Sequence, residues 1–199
     1  FPGAKLDGAS LFDLMDSEGV DASWGVPTVW QGLLAEMLKR GRGPKGLKIV
    51  FVGGSAAAPS MIQTFERDFG VEMMHGWGMT EMSPLGTLAR LQNRHLALDA
   101  DQQQKILEKQ GHVIFGVDMK IVDDEGKEIS WDGSSFGNLL VRGPWVVREY
   151  FKGEGGDPLR YDEQGRGWFP TGDVATIDSQ GYMQITDRSK DVIKSGGEW

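Results

Sequence analysis

The run Met73-Met74-His75-Gly76-Trp77-Gly78-Met79-Thr80-Glu81 gathers groups that could serve a nucleotide. Two glycines flank an aromatic ring, so the backbone can come close to a flat or charged ligand. Thr80 can donate to a phosphate oxygen, and the Glu81 carboxylate can hold a hard cation such as Mg²⁺. A Gly-rich turn of purely structural purpose uses the same residue types, so the run alone leaves both readings open. His75 is equally open, as a general base or ligand or as a packed structural histidine. Trp77 is either a wall of a ligand pocket or a core aromatic.

A second block, Trp168-Phe169-Pro170-Thr171-Gly172-Asp173, carries an acid in a short turn, able to accept from ribose hydroxyls. Ile185-Thr186-Asp187-Arg188-Ser189-Lys190-Asp191 follows it. There Arg188 offers a planar fork to anionic oxygens and Lys190 a point charge. Asp191 reads as a surface charge. A third block, Gly53-Gly54-Ser55-Ala56-Ala57, is small enough to leave room for a ring, although a plain strand-to-helix turn needs small residues too. His95 and His112 have no partners at metal-ligand spacing and read as structural; Met73, Met74, Met79 and Met82 read as packing residues.

The elements that must position these groups are legible in the first half. Residues 21–26 read as a strand. From Pro27 to position 40, apolar Val29, Leu33, Leu34, Met37 and Leu38 recur at helical period, and Pro27 suits a first helical turn. Residues 47–52 form a continuous apolar run that predicts a strand buried on both faces. Residues 59–69 read as a helix with Met61, Ile62 and Phe65 on one side, and 71–75 as the next strand, ending in the Gly-rich turn. Alternating strands and helices imply a parallel sheet with ligands in a crevice at the strand C-termini. Residues 98–110 are polar and helical. Beyond Gly116 the pattern changes to short alternating strands and turns at 123–126 and 178–181, which predicts an antiparallel β-rich, barrel-like subdomain over about 116–186.

Composition narrows the classes. A chain of 199 residues with 39% hydrophobic content can bury a real core, and its net charge of −8 argues against nucleic acid as a partner. An anionic small molecule remains compatible, because a metal ion and helix N-termini supply local positive potential. The absence of cysteine excludes disulfides and Cys-based zinc sites, and is compatible with a reducing cytoplasm, the expected location. No apolar run approaches the ~20 residues of a transmembrane helix.

Taken in order, the three blocks resemble the adenylate-forming (AMP-binding) superfamily, and within it medium- and long-chain fatty acyl-CoA synthetases. The resemblance implies an α/β fold and a reaction with a carboxylic acid, ATP, Mg²⁺ and CoA. Carboxylate and ATP give an acyl-adenylate, and the CoA thiol then displaces AMP. It places Gly53, Gly54, Ser55, His75, Gly76, Trp77, Gly78, Met79, Thr80, Asp173, Ile185, Arg188, Lys190, Lys194 and Trp199 around the nucleotide. Thr80 and Glu81 would act in catalysis, Glu81 as the Mg²⁺ ligand. Lys190 would be the hinge about which a C-terminal domain rotates. Ser195, Gly196 and Gly197 would admit the pantetheine arm. His75, Trp77 and the gate segment Val26-Pro27-Thr28-Val29-Trp30 would meet the acyl chain, with a core role for Trp30 as the alternative.

The chain departs from commoner patterns at His75, where Asn or Gln is frequent, and at Trp77, where Tyr or Phe is frequent. The resemblance covers the middle of the family's length. Residues 1–115 would end the large α/β subdomain, 116–186 form the β-rich subdomain, and 187–199 hold the hinge and the start of a C-terminal domain. The phosphate loop and the C-terminal lysine would lie outside, so the chain by itself is expected to be inactive. A homodimer of the longer protein stays open. Three other readings remain: a ligase for aryl or short sulfur-containing acids, a carrier-loading adenylation domain, and a non-catalytic nucleotide-binding module.

Overall fold

The structure, a computed structural model, describes residues 6–188. It divides into two compact units interleaved along the chain. One comprises residues 6–77 with Leu88–Glu108, the other Gly78–Thr87 with residues 109–188.

The first unit is a parallel α/β layer. Its strands are β1 (Ala22–Gly25), β2 (Ile49–Val52) and β3 (Glu72–Gly78), and β3 carries His75, Gly76, Trp77 and Gly78. β1 pairs in parallel with β2, and β2 with β3, with Val52 opposite His75. Helices α1 (Gly8–Glu18), α2 (Pro27–Arg40) and α3 (Pro59–Phe69) flank them, and α4 (Ala100–Leu107) follows β3 in the chain. Proline stands in the first turn of α2 and of α3, where its missing N–H costs nothing, and glycine in left-handed backbone closes both. The fully buried face of α2 is Trp30, Leu33 and Met37. Leu38, read from sequence as part of the apolar stripe, is 56% exposed. These side chains join Phe12, Val50, Val52, Ile62, Phe65 and Met73 in one core.

Helix α1 was not anticipated. Its signal is a capping aspartate, Asp7, which accepts from the Ser10 N–H at 2.9 Å. Leu11, Phe12 and Met15 then face the core at helical spacing, before Gly19 ends the helix.

The second unit is an antiparallel sheet. Its strands are β4 (Leu85–Leu88), β5 (Gly111–Val113), β6 (Asp118–Val122), β7 (Phe136–Arg142), β8 (Arg160–Tyr161), β9 (Gly167–Ile177) and β10 (Tyr182–Arg188). They run in the order β4-β5-β10-β9-β7-β6, with β8 on β9. The expected turn at 178–181 joins β9 to β10, closed by the Gly181 N–H on the Asp178 carbonyl at 2.8 Å. Helix α4 is shorter than the polar stretch that announced it. It stops at Leu107, because Gly111–Val113 is drawn into β5 against β10.

Two sequence-based turns are corrected. The strand expected to end at His75 runs on through Gly78, so Gly76-Trp77-Gly78 is extended backbone and not a loop. A Cβ at Gly78 would fall 1.9 Å from the Pro84 carbonyl oxygen, so glycine there permits a close backbone approach. The Thr171-Gly172-Asp173 turn lies inside β9 as a bulge. Asn138 pairs with Val174 and Leu140 with Pro170, so 171–173 oppose Leu139 alone.

Candidate functional site

Within the first unit, the block after β2 is small and open: Gly53 is half-buried, and Gly54 and Ser55 are exposed. His75 is the opposite, at 1% exposure. Its Nδ1 lies 3.2 Å from the Glu108 carbonyl, and its Nε2 accepts the Ala57 N–H at 3.4 Å. These partners fix the tautomer: Nδ1–H donates and Nε2 accepts. Burial pushes its pKa below the usual histidine value, opposed by the Glu108 bond, so the ring stays neutral. With both nitrogens engaged, His75 ties the approach to α3 to the end of α4. A neutral imidazole used as one donor and one acceptor matches what an Asn or Gln amide offers.

Trp77 is buried in β3 at 8% exposure. Trp30 is 1% exposed, and its indole N–H donates to the Phe51 carbonyl at 2.9 Å.

Within the second unit, Gly78 and Met79 lead into a 3-10 turn over Thr80–Met82. Thr80 is exposed and Glu81 half-buried. The segment 145–150 grips this turn. The Val147 N–H donates to the Glu81 carbonyl at 2.8 Å, and the Tyr150 hydroxyl to Glu81 Oε1 at 3.2 Å. Ser83 Oγ donates to the Trp145 carbonyl at 3.2 Å. Glu81 Oε2 has no partner among the described residues.

Asp173 is half-buried at the end of the β9 bulge. Thr171 Oγ1 donates to the Leu139 carbonyl at 3.0 Å and accepts the Asp173 N–H at 3.1 Å, so one hydroxyl pins both sides. Gly172 sits at its apex with φ +79°, a conformation that favours glycine. Arg188 is the register partner of Asp173 on β10, which brings those two predicted residues side by side. Ile185, next to a register shift, donates its N–H to Gln110 Oε1 at 2.6 Å. Lys190, Lys194, Ser195, Gly196, Gly197 and Trp199 lie outside the described residues. So does the hinge expected at Lys190.

Sequence reasoning missed Tyr150, Thr171 and Gln110 as supports. Tyr150 is 69 positions from Glu81, and no local spacing announces the contact. Thr171 stood inside a quoted motif, but its role needs β7 beside it. A cleft of ≈ 480 Å³ in the same unit, between Arg142, Val146 and Phe169, contains none of the predicted site residues.

The AMP-binding enzyme family model matches residues 1–151, which include the glycine-flanked strand end and Glu81 but not the bulge that carries Asp173. The chain belongs to that family. It is 51% identical over 198 residues to the medium-chain-fatty-acid–CoA ligase of Ectopseudomonas oleovorans, covering 100% of this chain and 35% of that protein. It is 50% identical to the 3-methylmercaptopropionyl-CoA ligase of Ruegeria lacuscaerulensis, over 100% of this chain and 36% of that one. The chain thus spans about a third of the length of these relatives. Among solved structures, the O-succinylbenzoate CoA synthetase of Bacillus subtilis in complex with ATP and magnesium superimposes with a TM-score of 0.76 at 24% identity. That match covers 96% of this chain and 36% of that one, and at this identity it speaks to the fold.

Proposed function

We propose that the chain is part of an ATP-dependent acyl-CoA ligase for aliphatic carboxylic acids. The observation that carries the reading is Glu81. It is a half-exposed carboxylate after a glycine-flanked strand end, with Oε1 held and Oε2 unengaged. Among the described residues no group of three or more His, Cys, Asp or Glu forms a metal cage. Mg²⁺ held mainly by triphosphate oxygens needs only one or two carboxylates, so the residues present fit that ion. When bound, it would offset negative charge on the phosphates.

The chain's own residues bind and orient. Gly53, Gly54 and Ser55 leave room for adenine, and Thr80 donates to phosphate. Asp173 accepts from the ribose hydroxyls, with Arg188 beside it in register. Catalysis then rests on positioning and charge neutralisation and needs no side-chain nucleophile. Lys190 as hinge, Lys194 and Trp199 over the nucleotide, and Ser195, Gly196 and Gly197 for CoA complete the reading by family resemblance.

A medium-chain fatty acid is the first substrate class. A short thioether acid is the second, because the two relatives above stand at nearly equal identity. The test uses the full-length protein with ATP, CoA and acids of graded length, reading pyrophosphate release and acyl-CoA. Medium-chain acyl-CoA formed in preference to 3-methylmercaptopropionyl-CoA is the expected result. No pyrophosphate with any aliphatic acid would overturn it, and none with aryl acids or amino acids either would favour a non-catalytic nucleotide-binding module.

A further inference from the structure

We propose that Tyr150 is a positioning residue for Glu81, holding its carboxylate in the orientation that receives Mg²⁺; this rests on the reading of Glu81 as the metal ligand. The argument begins with a carboxylate on a flexible stem. Glu81 follows an extended strand end in a turn of three residues, half-open to solvent. Left alone, such a side chain samples several rotamers, and a ligand that must be ordered on binding loses affinity.

The segment 145–150 removes that freedom. Main chain fixes main chain through Val147 N–H on the Glu81 carbonyl, and side chain fixes side chain through the Tyr150 hydroxyl on Oε1. The same segment reaches Ser83, whose φ of +55° is uncommon for a residue with a side chain, so the turn is held where its backbone is least relaxed.

The chemistry of the partner is informative. An ionised carboxylate only accepts, so a donor is required. Lysine or arginine would donate, but would bring a positive charge against an incoming cation. A phenol donates with no formal charge and occupies one oxygen, leaving the other for the ion. Partial desolvation, then the Glu81 hydrogen bond and charge, raise the Tyr150 pKa above its ordinary value, which keeps the proton in place at neutral pH. Tyr150 is 39% exposed, so Tyr150→Phe removes the hydroxyl without opening the core.

The experiment measures ATP affinity of the full-length protein by calorimetry across a Mg²⁺ series, with AMP as the control that lacks the β- and γ-phosphates. Tyr150→Phe is expected to raise the Mg²⁺ concentration at half-effect about tenfold, with AMP affinity unchanged, in keeping with the loss of a hydrogen bond to a charged group. Glu81→Gln is expected to shift it further, and Tyr150→Phe added to Glu81→Gln to do nothing more. If Glu81→Gln moves the Mg²⁺ dependence and Tyr150→Phe does not, the positioning role is wrong. Equal effects of Tyr150→Phe in both backgrounds would also overturn it. If Glu81→Gln leaves the Mg²⁺ dependence untouched, the metal reading itself falls, and the proposal with it.

Discussion

His75 and Glu81 stand six positions apart in the same motif, yet the fold treats them in opposite ways. His75 is sealed at 1% exposure with both ring nitrogens engaged, so it has nothing left to offer a ligand. Glu81 is half-exposed, with one carboxylate oxygen gripped and the other unengaged. Residue type alone would have ranked them the other way, since histidine is the commoner acid–base group at neutral pH. What separates scaffold from site is how much hydrogen-bonding capacity remains after folding. Trp30 falls with His75 on the closed side, while Asp173 is half-buried on its pinned bulge.

The largest expected effect tests the closed class. Trp30→Ala should destabilise the full-length protein by about 3–5 kcal/mol, the usual cost of deleting a buried aromatic, with the indole hydrogen bond to the Phe51 carbonyl also lost. Trp30→Phe keeps most of the volume. Denaturant unfolding of both, set beside their acyl-length profiles, separates a core tryptophan from a gate. A shifted profile in Trp30→Phe at near-native stability would move Trp30 out of the closed class.

His75→Ala should cost about 2 kcal/mol or more, because it strands the buried Ala57 N–H and Glu108 carbonyl, and His75→Gln should recover much of that. The pH dependence has a definite sign. Burial lowers the folded pKa below the unfolded value of 6.5, so the unfolded chain takes up the proton first. The His75 contribution is therefore complete above pH 6.5 and is lost as pH falls below it towards the folded pKa. The difference in thermal unfolding between wild type and His75→Gln should narrow on the acid side, where the wild type alone loses this contribution. Activity lost in His75→Gln with stability intact would break the contrast with Glu81.

Asp173→Ala should weaken ATP and AMP alike, by roughly 1.5–3 kcal/mol if a charge-assisted hydrogen bond to ribose is lost. The mutant should also discriminate less between AMP and its 2′,3′-dideoxy analogue. Unchanged discrimination would take the ribose role away from Asp173. The smallest effect belongs to Thr171→Val, about 1 kcal/mol for the hydroxyl that pins the bulge. AMP affinity should fall with it if the bulge presents Asp173, and hold if Thr171 serves only β7.

The sequence made the parallel unit legible because its signals are local. Proline at the start and glycine at the end delimit Pro27–Arg40 and Pro59–Phe69, and apolar period supplies the buried face. The errors came where a partner strand decides. Gly76-Trp77-Gly78 carries turn composition but is extended in β3, and Thr171-Gly172-Asp173 is a bulge whose anchor is a carbonyl on β7. Family resemblance nominated Glu81 and Asp173, but how each is held could not be read from spacing. Tyr150, Val147 and Leu139 meet them only through tertiary structure, across separations that no periodicity spans.

The most direct test of the central claim compares two numbers in Glu81→Ala of the full-length protein: AMP affinity, and the single-turnover rate of acyl-adenylate formation. AMP lacks the β- and γ-phosphates, whose charge a metal held by Glu81 would offset. The account predicts AMP affinity within about twofold of wild type, and adenylate formation slowed about 10²–10³-fold, the scale of losing one electrostatic stabiliser. An equal loss in both would make Glu81 a structural residue like His75, and an undiminished rate would remove it from the chemistry altogether.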